Sequence, residues 1–161
     1  MPVSKLISII MRYFDDVSYS EHAIKVYAYS QSIGMGESLP EADMHVLCSA
    51  AVLHDIGIPQ AIKLHGSAKG EYQKKEGALL VPKMLHQAGI HGITERVSWL
   101  VGNHHTHTLA ESNLLLQILM EADYLVNLAE ENATKERIRD MRESFFKTST
   151  GKEYIEALFG I

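Results

Sequence analysis

The side chains in this chain that could do chemistry are mostly histidines and carboxylates. There are nine histidines in 161 residues, and imidazole is both the side chain that titrates near neutrality and a common metal ligand. The informative ones share a helix face with apolar residues, because positions i, i+3, i+4 and i+7 lie on one side of a helix. His22 aligns with Val26, Tyr29 and Ile33. His54 aligns with Leu47 and Ala50, and His104 with Val97, Leu100 and Val101. Glu76 aligns with Leu80 and, less closely, with Leu79 and Met84. Asp123 aligns with Leu116, Leu119 and Val126 in the middle of the run LLLQILMEADYLVNL.

A carboxylate turned toward an apolar interior is costly unless it is paired or binds a metal. Taken singly, a histidine on such a face is more often a hydrogen-bonded core residue, and an aspartate more often a cap or ion-pair partner. Five such residues on five separate helices shift the balance toward a metal site. Imidazole and carboxylate donors without a thiolate suit Fe, Mn, Zn, Co or Ni. His54 and Asp55 are adjacent at a helix end, where the backbone turns enough for both to reach one ion.

Helical periodicity dominates the elements that must position these residues, with no hairpin turn signal and no sustained alternation. The expectation is an all-α fold of seven or eight helices. They are read at about 3–14, at 20–34 or 20–36 with Ser20 as N-cap, and from Pro40 to the stop at His54-Asp55-Ile56-Gly57-Ile58-Pro59. A loop or short helix with Lys63, His65, Gly66 and Gly70 follows. The remaining helices are read at about 71–87 with Pro82 as a kink or break, 94–104, 114–130, 135–146 and 152–159. No linker long enough to separate two domains is visible, so residues 1–161 are read as one domain with the terminal helices packed on its core.

Composition narrows the class. The chain is 46% hydrophobic and 22% charged, an ordinary globular balance, and its length allows about two-thirds of the unfolded surface to be buried. The single cysteine, Cys48, lies in an apolar stretch and fits a reduced, cytoplasmic setting. No run is apolar enough to span a membrane, and the first residues read as an amphipathic helix rather than a signal peptide. The net charge of −5 argues against binding to long nucleic acid.

The order His22, His54-Asp55, His104-His105, Asp123 resembles the signature of the HD-domain metal-dependent phosphohydrolase superfamily. The local contexts are similar too: Glu21-His22-Ala23 opening a helix, Leu53-His54-Asp55-Ile56-Gly57-Ile58-Pro59, Val101-Gly102-Asn103-His104-His105, and Glu121-Ala122-Asp123-Tyr124-Leu125-Val126-Asn127. The matched span runs from about Glu21 to Asn127. The segment KLHGSAKGEYQKKEG further resembles a small single-domain bacterial subgroup. The resemblance implies an all-α bundle with His22, His54, Asp55 and Asp123 as the core metal site. Dinuclear members add a histidine after the His-Asp pair and one from the paired-histidine element. Here the second is His104, with His105 beside it, while the first is absent and Glu76 is the candidate in its place, as ligand, bridge or general base. The implied cofactor is one or two divalent transition-metal ions. Asp55 would be the central ligand and orient the attacking water, and His104 or His105 would protonate the leaving group if not a ligand.

The implied substrate is a small phosphorylated molecule such as a nucleotide. Five of the ten lysines, Lys63, Lys69, Lys74, Lys75 and Lys83, follow the His-Asp turn closely. Lys63 and Lys69, in the glycine-bearing loop, are the expected phosphate contacts, with His65 and His107 as further substrate contacts. His45, His86 and His91 are read as surface or cap residues, and Trp99, Tyr27 and Tyr29 as core. The Gly-Tyr-Pro triplet of the cyclic-dinucleotide branch does not follow His104-His105. Two other readings are a dinuclear iron oxygenase of the same fold and a non-catalytic metal-binding signalling module. The amphipathic terminal helices offer a surface for a homodimer.

Overall fold

A computed structural model describes residues 2–161, and ten helices and no strands occur among them. They are α1 (Pro2–Tyr13), α2 (Val17–Gly36), α3 (Glu41–Leu53), α4 (Ile58–His65) and α5 (Gly70–Ala88), then α6 (Thr94–Asn103), α7 (His107–Ala110), α8 (Leu114–Glu130), α9 (Lys135–Ser144) and α10 (Ser149–Phe159). The all-α expectation therefore holds, with two more helices than the sequence pattern separates. The segment after the His-Asp turn is a true helix, α4, started by Ile58-Pro59 in its first turn. The short α7 has too few residues to show a periodicity. No described helix is long and apolar enough to cross a membrane.

Helix α8 is the apolar centre of the molecule. Leu115, Leu116, Ile118, Leu119, Ala122, Leu125, Val126 and Leu128 are all buried along it, and it packs against α2, α3, α7 and α10. Its start is fixed by Asn113, whose side chain accepts from Leu116 N at 3.0 Å. Helix α2 packs on both α8 and α3, and α6 packs on α3 and pairs with α5, which also meets α1 and α4. Helix α2 begins earlier than Ser20, because Asp16 caps it by accepting from Ser18 N at 2.8 Å. Ser20 is instead buried inside the helix. Helix α5 continues through Pro82, whose ring is exposed. Trp99 is also exposed rather than in the core.

The turn that carries His54 and Asp55 is held from two sides. Tyr13 on α1 donates to Ile56 O at 2.9 Å. Gly57 lies directly under α5, and a Cβ there would overlap the Gln73 carbonyl and the Gly77 amide. Glycine is required at position 57 by this close approach, since its φ of −74° is open to any residue.

Candidate metal centre

Two of the site histidines are built in the same way. His54 and His104 are the C-cap residues of α3 and α6, where the last carbonyls of a helix lack intrahelical partners. Each ring folds back to use one: His54 Nδ1 donates to Ala51 O and His104 Nδ1 to Val101 O, both at 2.7 Å. That fixes the tautomer and leaves each Nε2 lone pair facing inward. His22 comes from the second turn of α2, and Asp123 from the middle of α8.

The four elements converge. His22 Nε2 lies 3.3 Å from His54 Nε2 and 3.0 Å from Asp123 Oδ1. His54 Nε2 lies 3.5 Å from the same aspartate oxygen. Asp55 Oδ2 faces His54 Nε2 at 3.2 Å and His22 Nε2 at 3.5 Å, while its other oxygen lies 3.6 Å from His104 Nε2. His22, His54 and Asp123 thus form a group that could hold a metal ion, with Asp55 against it and His104 on the far side of Asp55.

Charges in the cluster bias one another. Burial opposes charge on His22, but the Asp123 bond and nearby carboxylates overcome it and raise its pKa above the usual 6.5. Burial is likewise outweighed at His54, chiefly by Asp55, and its pKa rises well above the usual value. The carboxyl of Asp55 is held well below its usual range against burial, by His54 and His104. Asp123 is lowered too, mainly by its bonds to His22 and His54.

The donors fit a divalent ion. The buried Nε2 of His104, a residue only 2% exposed, makes no hydrogen bond within 3.5 Å among the described residues and has Asp55 Oδ1 as its neighbour at 3.6 Å, so its electron pair is open to a cation held against Asp55. Two imidazole Nε2 atoms aimed at each other and at a carboxylate form an imidazole–carboxylate set suited to Fe, Mn, Zn, Co or Ni. Cys48 takes no part; burial pushes its thiol up to about 11.

A family model described as HD domain matches residues 19–128. The chain belongs to the HD-domain family. HD domains bind divalent metals, and most are metal-dependent hydrolases. The match covers the same span as the four quoted elements, from α2 to the last turn of α8. No curated protein and no solved structure matched the chain.

The other candidate residues of this HD-domain chain have partners of their own. Glu76, 8% exposed on α5, meets His65 Nε2 at 3.1 Å, and the His65 ring stacks on Tyr72 at 4.4 Å. Glu76 is therefore engaged by His65 rather than drawn into the His22–His54–Asp123 group. His105 packs on His104 at 3.9 Å, and its Nε2 accepts from Gln73 Nε2 at 2.8 Å. Burial, then the His104 charge, bring its pKa down to about 4. His107 pairs with the Tyr124 hydroxyl beside Phe145. Lys63 and Lys69 are exposed, whereas Lys74 is half-buried with its Nζ 3.5 Å from Thr106 Oγ1. Gln73 and Lys74 were not separable in sequence from a solvated helix face. Their contacts come from α5 packing against the end of α6.

Proposed function

We propose that this HD-domain protein is a metal-dependent phosphohydrolase acting on a nucleotide or another small phosphorylated metabolite. The observation that carries the reading is the buried convergence of His22, His54, Asp55 and Asp123 beside an unpartnered His104 Nε2. His22, His54, Asp55 and Asp123 would hold the ion, and His104 would join them if a second is bound against Asp55. A divalent ion bound there polarises a phosphoryl oxygen and brings the pKa of its water toward neutrality.

The chain's own groups supply the rest. Asp55 presents two oxygens to different histidines, which suits it to a central or bridging role and to orienting the attacking water. Lys74, beside Thr106 and one residue from the Gln73–His105 bond, is the lysine best placed to meet a phosphate oxygen. Lys63 and Lys69 serve as outer electrostatic contacts. His65, stacked on Tyr72 and bonded to Glu76, and His107 on Tyr124 line the approaches. His105 Nε2 is occupied by Gln73, so this reading makes His105 a positioning residue on His104 and leaves leaving-group protonation to Glu76 or water. The protein is proposed to act in the cytoplasm, as one domain, alone or as a homodimer.

Metal quantification on the purified protein tests the reading, followed by a phosphate-release screen over nucleotides and other phosphate esters with that metal restored. The expected result is stoichiometric metal, lost in His54→Ala and Asp123→Ala, and phosphate release from at least one substrate. Dioxygen consumption without phosphate release would overturn it in favour of a di-iron oxygenase. Unchanged metal content in both variants would overturn every metal-centred reading.

A further inference from the structure

His22 differs from the other two site histidines in how its outer nitrogen is held. His54 and His104 sit at helix ends and use a free carbonyl three residues back. His22 lies within α2, where the carbonyls one turn back are engaged by the helix's own amides. Its ring must find an acceptor elsewhere. That acceptor is Glu130, the last residue of α8: Glu130 Oε2 lies 3.1 Å from His22 Nδ1.

We propose that Glu130 is a positioning residue of the metal centre, fixing the orientation and tautomer of His22. The proposal rests on the reading that His22 is a ligand. A carboxylate on the far nitrogen keeps the proton on Nδ1, leaves Nε2 free as a donor, and raises the basicity of the ring. Asp123, Asn127 and Glu130 lie at i, i+4 and i+7, one face of α8. Asp123 meets His22 Nε2 at 3.0 Å, and Asn127 Nδ2 donates to Asp123 Oδ1 at 3.0 Å. One helix face therefore grips both nitrogens of the same imidazole.

The position of Glu130 is a poor one for the helix itself. A helix C-terminus carries partial negative charge, so a carboxylate in its last turn is electrostatically unfavourable. Lys25, 3.5 Å from Glu130 Oε1, offsets this from an exposed position. Helix α8 thus ends in a residue that is poor for the helix and well placed for His22.

The test is calorimetric titration of manganese(II) into the metal-free full chain. Glu130→Ala is expected to weaken affinity by roughly 10–100-fold, and Glu130→Gln, which keeps an acceptor oxygen, by less. The melting temperature of the metal-free variants should fall only modestly, because loss of the His22 Nδ1 bond is set against relief of the charge at the helix end. Glu131→Gln removes the same charge one residue on, at an exposed side chain bound to Arg137, and should leave affinity at the wild-type value. In the metal-free protein at alkaline pH, nitrogen NMR of the His22 ring should show the Nδ1–H tautomer, and a mixture in Glu130→Ala. Wild-type affinity in Glu130→Ala, or an equal loss in Glu131→Gln, overturns the proposal. His22→Ala separates the two levels. Retained binding in that variant defeats the ligand reading itself, whereas its loss together with intact binding in Glu130→Ala defeats only the role of Glu130.

Discussion

Helix α8 carries two carboxylates two residues apart, Glu121 and Asp123, which the helical turn points to opposite sides of the molecule. Glu121 is fully buried at 0% exposure. It accepts from Gln117 Nε2 at 2.8 Å, Lys147 N at 2.7 Å, Thr148 N at 3.0 Å and the Thr148 hydroxyl. These donors close the turn before α10 and leave the carboxylate saturated. Asp123 accepts from Asn127 and otherwise faces imidazole nitrogens that can serve as electron-pair donors. Burial is common to both. The difference lies in their neighbours, which are fixed proton donors around Glu121 and, beside Asn127, titratable imidazoles around Asp123. A buried carboxylate surrounded by fixed donors is a structural anchor, and one surrounded by imidazoles that can give up their protons invites a cation.

The sharpest way to break that contrast is to remove each carboxylate in turn. Glu121→Ala would take the acceptor from two backbone amides and the Thr148 hydroxyl and leave Gln117 Nε2 only its bond to Phe145 O, and should cost about 3 kcal/mol or more. The folded fraction should still bind metal. Asp123→Ala should abolish tight metal binding while the metal-free protein stays folded. Urea denaturation paired with metal analysis reads both effects. Loss of metal from folded Glu121→Ala protein would erase the distinction.

The same helix shows how far the sequence could be read. Asp123 stood out because Leu116, Leu119 and Val126 share its face, and His22, His54 and His104 stood out by the same test. Yet Glu121 passes that test equally well, flanked by Ile118, Leu125 and Leu128. Its partners Lys147 and Thr148 come from a turn beyond the next helix, and no local pattern announces them. The local pattern reads Ser20 as the cap of α2, whereas the structure uses Asp16. The pairing of Glu76 with His65 depends on how the α4–α5 turn folds back, a tertiary fact absent from helix-face periodicity.

Two glycines give a second, smaller comparison. Gly151 sits against Glu121, where an added Cβ would overlap Oε2 and crowd the Thr148 hydroxyl. Gly57 sits under α5, where the overlap is with backbone of Gln73 and Gly77. Gly57→Ala should cost about 1–3 kcal/mol and also weaken metal binding, because it displaces the turn bearing His54 and Asp55. Gly151→Ala should cost a similar or smaller amount and leave metal affinity intact. Equal effects on metal affinity would mean that the two regions are mechanically coupled.

The pH dependence of the metal-free protein separates the regions without mutation. The raised pKa values of His22 and His54 contribute stability that is fully present below about 6.5 and is lost as pH rises through the folded-state values. The lowered values of Asp55 and Asp123 contribute above about 4 and lose it as pH falls through theirs. The cluster's contribution should therefore peak between these limits and decline on the alkaline side. Metal binding must displace the histidine protons, so the stabilisation by metal should grow over that same alkaline range. Melting temperatures with and without manganese(II) should diverge as pH rises through neutrality. A constant gap would mean that the histidines do not release protons on binding.

The smallest effect expected is at Asn127. Its amide donates to Asp123 Oδ1 at 3.0 Å, the one side-chain donor in a site otherwise short of protons for that oxygen once a metal is bound. Asn127→Leu keeps the side-chain shape and the helix, and removes that bond. The cost to fold stability should be about 1 kcal/mol or less, since Asn127 is only half-buried. Asp123 would keep its place on the helix but lose a restraint on its carboxylate plane, so metal affinity should fall by less than in Glu130→Ala. Calorimetric titration of the two variants side by side orders them. If Asn127→Leu proved the more damaging, the orientation of Asp123 rather than of His22 would be the property that α8 chiefly controls. The polar face of that helix would then be read from its centre outward instead of from its C-terminal end.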